Sequence, residues 1–197
     1  QRQDLIRYMS ETENQLQILL CELAAYLHNK DMEINVWDRI IAFEGRMHEF
    51  IKAAYDYQDN TFHSHPGYYI DYFEMRLAQL QVLHNLHYEI KKIRKMPKQA
   101  LVIADYIMYM ADYVVEMNIP DQQIEKLEEI SEQMKQEELP KTREEFEGRA
   151  LLYHILMDLE EFLVYKKRFV NGLDEKKLRI YWKQEMEQKD SANELQK

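Results

Sequence analysis

Cysteine is nearly missing: Cys21 stands alone among 197 residues, so no disulfide can close within the chain, and a reducing compartment suits it. Glycine and proline number four each. That is too few for the turns of an all-β domain, which leaves long helices with few connections. Basic residues are in deficit, 26 Lys and Arg against 36 Asp and Glu for a formal net charge of −10. This balance disfavours nucleic acid and anionic lipid as partners for the surface as a whole. No uncharged run approaches the roughly 18 residues of a membrane span, because Asp105 and Asp112 interrupt even the most apolar stretch. Nucleophilic and phosphate motifs are also lacking. There is no Gly-x-Ser-x-Gly, no glycine-rich phosphate loop, and no activating context for Cys21, whose neighbours Leu19, Leu20 and Leu23 mark it as a small core residue.

What is present is helical periodicity. With 46% hydrophobic residues the chain has the content of a globular protein with one main core. Leu5, Met9, Thr12, Leu16, Leu19, Leu23 and Leu27 recur in steps of three and four, which predicts one amphipathic helix over about 3–29. A second is predicted over about 34–58, with Trp37, Ile40, Phe43, Met47, Phe50, Ala54 and Tyr57 inward. After the turn-forming stretch 59–67 comes a third, about 68–95, stopped by Pro97. A fourth, about 98–118, has only a narrow polar stripe (Lys98, Asp105, Tyr109, Asp112, Glu116) and is expected in the middle of the bundle. A charged helix from Pro120 to about 136 should lie outside, and Thr142 to Glu145 form a capping box that opens a helix running to about 170. Asn171-Gly172 suits a left-handed close to that helix. The fold class is therefore all-α, an antiparallel bundle of five to six helices, four of them long. Residues 1–172 form the bundle and 173–197 a short helical extension (Leu178, Tyr181, Trp182) with a frayed polar tail.

Candidate metal and acid–base groups are few. Di-metal bundles carry Glu and His three residues apart on at least two helices, a pattern this sequence lacks. Glu44 and His48, or His84 and His87, could face one way, yet each pair reads as the polar edge of a packed helix. His63 and His65 beside Asp59 form the most ligand-like cluster, on a loop where polar residues also serve solubility. Asp105 and Asp112 share a face and could act as paired carboxylates, although they read first as a solvent seam. No metal, cofactor or catalytic residue is assigned.

The tetrapeptide Phe-Glu-Gly-Arg occurs at 43–46 and again at 146–149. Glycine inside a helix costs about 1 kcal/mol relative to alanine, so Gly45 and Gly148 are both expected at tight helix crossings. The second copy lies within Leu139-Pro-Lys-Thr-Arg-Glu-Glu-Phe-Glu-Gly-Arg-Ala-Leu-Leu-Tyr-His-Ile-Leu-Met-Asp-Leu-Glu-Glu-Phe-Leu163, followed by Lys166 and Phe169. Together with Tyr72-Phe73-Glu74-Met75-Arg76 and Gln79, this run resembles the C-terminal domain of the bacterial putative aromatic acid exporter family, relatives of the fusaric acid resistance proteins. The similarity covers about residues 1–172.

The resemblance implies a helical domain on the cytoplasmic face of the cell membrane, attached to an N-terminal transmembrane region of its own chain. A start at Gln1, already in helical pattern by Leu5, agrees with such a segment and carries no signal peptide. The domain would be non-catalytic, with a role in assembly, gating or ligand sensing, and its partners would be that membrane region, a second copy in a homo-oligomer, or a small aromatic acid. Arg76, Glu147 and Arg149 match the family motif and are the candidate binding residues, with an interhelical polar network as their other role. The alternative is a free-standing helical-bundle ligand or metal sensor resembling phosphate-regulator proteins.

Overall fold

The computed structural model describes residues 1–29, 35–62 and 67–182. These contain seven α-helices and no strand: α1 (Arg2–His28), α2 (Val36–Asp59), α3 (Gly67–Lys92), α4 (Ala100–Ala111), α5 (Asp121–Lys135), α6 (Arg143–Asn171) and α7 (Glu175–Tyr181). The long helices α1, α2, α3 and α6 form the antiparallel bundle. α1 lies against α2, α3 and α4; α3 lies between α2 and α6; and α5 bridges α4 and α6 on the outside.

α1 buries Leu5, Met9, Thr12, Leu16, Leu19, Leu23 and Leu27, the stripe its spacing predicts. The one hydroxyl in that stripe is satisfied locally, since Thr12 Oγ1 donates to the Tyr8 carbonyl at 2.7 Å. α2 turns Val36, Ile40, Phe43, Met47, Phe50 and Ala54 inward. Trp37 departs from expectation: it lies one residue off this 4-3-4-3-4 row, is 43% exposed, and rests edge-on against His84 with ring centroids 4.5 Å apart. Cys21 is half-buried, packed against the edge of the core where it also lines an open groove.

The helix at the centre is α3, and the expectation that the fourth helix would sit there is overturned. α3 is buried nearly all round, from Tyr68 to Ile90, and its interior includes Arg76, Gln79 and His87. α4 packs one face on α1 and leaves Leu101, Val102 and Met108 exposed. Apolar content misled here because α3 hides its polar side chains by pairing them, whereas α4 has more apolar surface than neighbours to cover it. α4 is also shorter than its pattern, ending at Ala111. Beyond it the Val114 carbonyl accepts from Gln17 Nε2 at 3.2 Å and the Val115 carbonyl from Lys166 Nζ at 2.7 Å. Bonds to α1 and α6 thus replace the ladder that would have continued the helix.

The ends of α6 are set locally. Thr142 Oγ1 accepts from the Glu145 amide at 3.1 Å, and the Glu145 carboxylate accepts from the Lys141 amide at 2.9 Å, one residue earlier than the standard capping box. Gly172 is right-handed (φ −79°, ψ −8°) and not in the expected left-handed conformation; its amide donates to the Arg168 carbonyl. The chain then turns into α7, capped by Asp174 accepting from Lys177 N. This places Tyr181 in a 4.0 Å stack on Tyr68 and buries Trp182.

The two copies of the repeated tetrapeptide occupy different surroundings. An added Cβ at Gly45 would meet nothing within 4 Å, so that copy is at no helix crossing. At Gly148 it would meet Pro97 Cγ at 3.0 Å and the Lys95 carbonyl at 3.3 Å. The close approach is real for the second copy, but to the 93–99 connection and not to a helix.

Candidate functional site

Four residues of α3 at helical spacing, Tyr68, Tyr72, Arg76 and Gln79, form one polar stripe that faces the bundle interior. Arg76 is 1% exposed. Its Nε donates to Tyr72 Oη at 3.1 Å and its Nη1 to Gln79 Oε1 at 2.9 Å. Its Nη2 lies 3.6 Å from Glu13 Oε1 of α1 and has no hydrogen-bond acceptor of its own. Tyr72 Oη donates to the same Glu13 oxygen at 2.8 Å, and Gln79 Nε2 donates to the Phe162 carbonyl of α6 at 2.8 Å. The guanidinium therefore ties α3 to α1, and Gln79, which it holds, ties α3 to α6.

A second set of contacts continues from Tyr68. Its Oη donates to Glu116 Oε1 at 2.7 Å and accepts from Trp182 Nε1 at 2.9 Å. Lys166 Nζ bonds the Val115 carbonyl and lies 5.8 Å from the Trp182 ring centroid. The interior thus holds two cations, Arg76 and Lys166, near two carboxylates, Glu13 and Glu116. Burial pushes the Glu116 carboxyl above its usual range, opposed by the Tyr68 hydroxyl that it accepts from and reinforced by the charge of Glu13. Burial likewise raises Tyr68 and Tyr72, so both phenols stay protonated and serve as donors. These groups are arranged to hold charge in place.

The three candidate residues do not converge. Arg149 lies 13 residues before Phe162 along α6, about 20 Å at the helical rise. Its Nη1 donates to the Glu138 carbonyl and its Nη2 lies 3.8 Å from Glu137 Oε2. The same Glu137 oxygen accepts from Gln99 Nε2 at 2.9 Å. Arg149 and Gly148 therefore clamp the 136–142 connection and the 93–99 connection to α6. Glu147 is exposed and accepts from Arg143 Nε at 3.0 Å, within its own helix. Beside Arg149 is a cleft of about 210 Å³ lined by Lys135, Leu139, Pro140, Phe146 and Tyr153 among others.

The residues weighed for metals are also dispersed. Glu44 pairs with His84 across α2 and α3 at 3.3 Å, while His48 is exposed. His87 is buried with Nδ1 unpaired, and burial lowers its pKa. Asp105 lies 3.8 Å from His28, and Asp112 lines the groove beside Cys21. The charges of Asp112 and Glu22 add to burial in raising the Cys21 thiol. Among the described residues no group of three His, Cys, Asp or Glu could hold a metal ion. His63 and His65 lie outside the described residues.

The partners that residue spacing did not nominate were Glu13, Tyr68, Glu116 and Trp182. The signal available for Tyr68 was its place on the Tyr72–Arg76–Gln79 row. For Glu13 and Trp182 there was none, since their contacts to α3 span 59 and 114 positions.

Residues 2–167 match the family described as "Putative aromatic acid exporter C-terminal domain", so the chain belongs to that family. It is 26% identical over 167 residues to the uncharacterized protein YqjA of Bacillus subtilis (strain 168), covering 84% of this chain and 51% of that protein. The chain therefore spans about half the length of this curated relative. Among solved structures it is similar to a putative membrane protein from Clostridium difficile 630, with TM-score 0.77 and 23% identity over 86% of this chain and 98% of the other, a likeness of fold. No helix of the described residues is long and apolar enough to cross a membrane.

Proposed function

We propose that this chain is the non-catalytic helical domain of a membrane protein of the aromatic acid exporter family, placed on the cytoplasmic face and acting in assembly or gating. One observation carries the reading. The charged groups drawn into the bundle, Arg76, Glu13, Glu116 and Lys166, each bond or pair with an element other than their own, so they fasten α1, α3, α6 and the 112–120 segment into one unit. Such an interior can transmit a displacement from one side to the other as a rigid body, which suits a domain coupled to a membrane region. The cytoplasmic placement rests on the family resemblance and on the lone thiol.

Ligand sensing is the second reading, and the cleft at Arg149 favours it. A guanidinium and Lys135 beside the rings of Phe146 and Tyr153 offer charge and stacking to a small aromatic carboxylate.

Thermal unfolding of the purified chain, with and without benzoate and salicylate, separates the two. Under the fastening role Arg76→Ala and Arg149→Ala both lower Tm, and neither acid shifts it. If Arg149→Ala leaves Tm unchanged yet abolishes an acid-induced rise, the fastening role is refuted for Arg149 and the cleft is a binding site.

A further inference from the structure

α6 carries two apolar faces, and the bundle covers only one. Leu152, Ile155, Leu156, Leu159, Phe162 and Leu163 are buried. On the other side Phe146 and Met157 are 60% and 63% exposed, with exposed Ala150 and half-buried Tyr153 between them. The steps along this ridge are four, three and four, the spacing with which one helix packs along another. α4 also leaves apolar residues uncovered, but Asp105 stands in the middle of that row and nothing on it complements itself.

The α6 ridge does complement itself. If a second α6 is laid antiparallel across a two-fold axis between Leu151 and Leu152, Phe146 falls opposite Met157 and Ala150 opposite Tyr153, so each large side chain meets a gap or a flexible neighbour. On the flank toward α3 the same register brings Arg143 within one position of Glu161 and Glu147 within two positions of His154, inside the reach of these side chains. Arg143 would add a full cation to an acidic patch there that His154 offsets only in part. Glu89, Asp158 and Glu161 repel one another at this edge, and the buried Asp158 Oδ2 has no hydrogen-bond partner. Two-fold symmetry supplies each pair twice, as expected of an isologous interface.

We infer that the Phe146–Ala150–Tyr153–Met157 ridge of α6 is a homodimer interface, occupied by α6 of a second copy of this chain running antiparallel to it. The inference rests on the assembly reading and gives that role its partner; if it fails, the fastening of the interior by Arg76 is unaffected. A single helix pair buries less than the roughly 800 Å² per partner of a standard interface, so the dimer is weak and concentration-dependent.

Sedimentation equilibrium of the purified chain between about 10 µM and about 1 mM is the test. The weight-average mass should climb from 24.1 kDa toward twice that value. Ala150→Glu and Met157→Glu, checked for native helicity by circular dichroism, should hold it at the monomer. Arg143→Glu and Glu161→Arg should each raise the apparent Kd about tenfold, roughly the effect of 1.4 kcal/mol, and the double exchange should restore it. The inference is overturned by any of four results: a mass that stays at the monomer at the highest concentration, association that survives Ala150→Glu, association abolished by Val102→Glu on α4, or a double exchange no better than the single variants. The charge exchange decides the matter even if Ala150→Glu fails to fold, because Arg143 and Glu161 are exposed.

Discussion

Gly45 and Gly148 occupy the same tetrapeptide, each inside a helix, and replacing either by alanine changes one methyl group in a matched local sequence. In a helix interior that exchange is worth about 0.5–1 kcal/mol in favour of alanine, because the unfolded chain loses freedom that the folded helix never used. At Gly45 the new Cβ meets nothing within 4 Å, so the whole gain should survive. At Gly148 the Cβ would lie 3.0 Å from Pro97 Cγ, 3.4 Å from Pro97 Cδ and 3.3 Å from the Lys95 carbonyl oxygen. A ring and a main-chain carbonyl cannot swing aside as a long side chain can, and overpacking of this kind costs about 1–3 kcal/mol. The expected net is a loss of up to about 2 kcal/mol, opposite in sign to Gly45→Ala. At about 2–4 °C per kcal/mol for a chain of this size, Gly45→Ala should raise Tm by about 1–4 °C while Gly148→Ala lowers it by several degrees. Differential scanning calorimetry of the two variants against the parent measures both. Equal stabilisation by the two substitutions would refute the reasoning, since the 93–99 connection would then have yielded at no cost.

The polar interior gives a second prediction: Arg76→Met should destabilise by about 3 kcal/mol in urea unfolding, the low end for a broken buried pair, because it leaves half-buried Glu13 with Tyr72 and no cation. Trp182→Phe keeps an aromatic ring against Tyr68 but removes the Nε1 donor, and should cost about 1 kcal/mol by the same measurement. Thr142→Ala removes the acceptor for the Glu145 amide and should cost about 0.5–2 kcal/mol. Asp158 gives a pH signature. Burial, then the charges of Glu89 and Glu161, raise its pKa to about 6 from an ordinary value of 3.8. The ionised form is therefore disfavoured in the folded state, a penalty present in full above pH 6 and lost as pH falls toward 4. Asp158→Asn should raise Tm at pH 7.5, and the difference from the parent should vanish near pH 4; a difference independent of pH would exclude the carboxylate as its source.

The stripes of α1 and, Trp37 aside, α2 were legible because each follows the 3.6-residue period with apolar side chains that the neighbouring helices cover. α3 was harder to read. Its burial depends on Arg76, Gln79 and the tyrosines finding partners on α1, on α6 and at Trp182, and spacing along one helix carries no trace of those partners. α4 failed in the opposite sense, since a helix can be apolar on a face that its own chain never covers. The matched glycines make the same point at the scale of one atom: the four letters agree, and only the arrival of Pro97 from a distant connection separates their roles. The candidate site residues Arg76, Glu147 and Arg149 were all marked by the family resemblance; the two arginines reach other elements, whereas Glu147 reaches only its own helix.

Two main-chain carbonyls just past α4, those of Val114 and Val115, take their hydrogens from Gln17 on one helix and Lys166 on another. A short unwound strip is thus gripped from both sides. Sliding α1 past α6 by a single turn, about 5.4 Å, would have to break at least one of the grips, since the strip cannot follow both helices. The carbonyls freed where the helical ladder stops thus become a joint between α1 and α6.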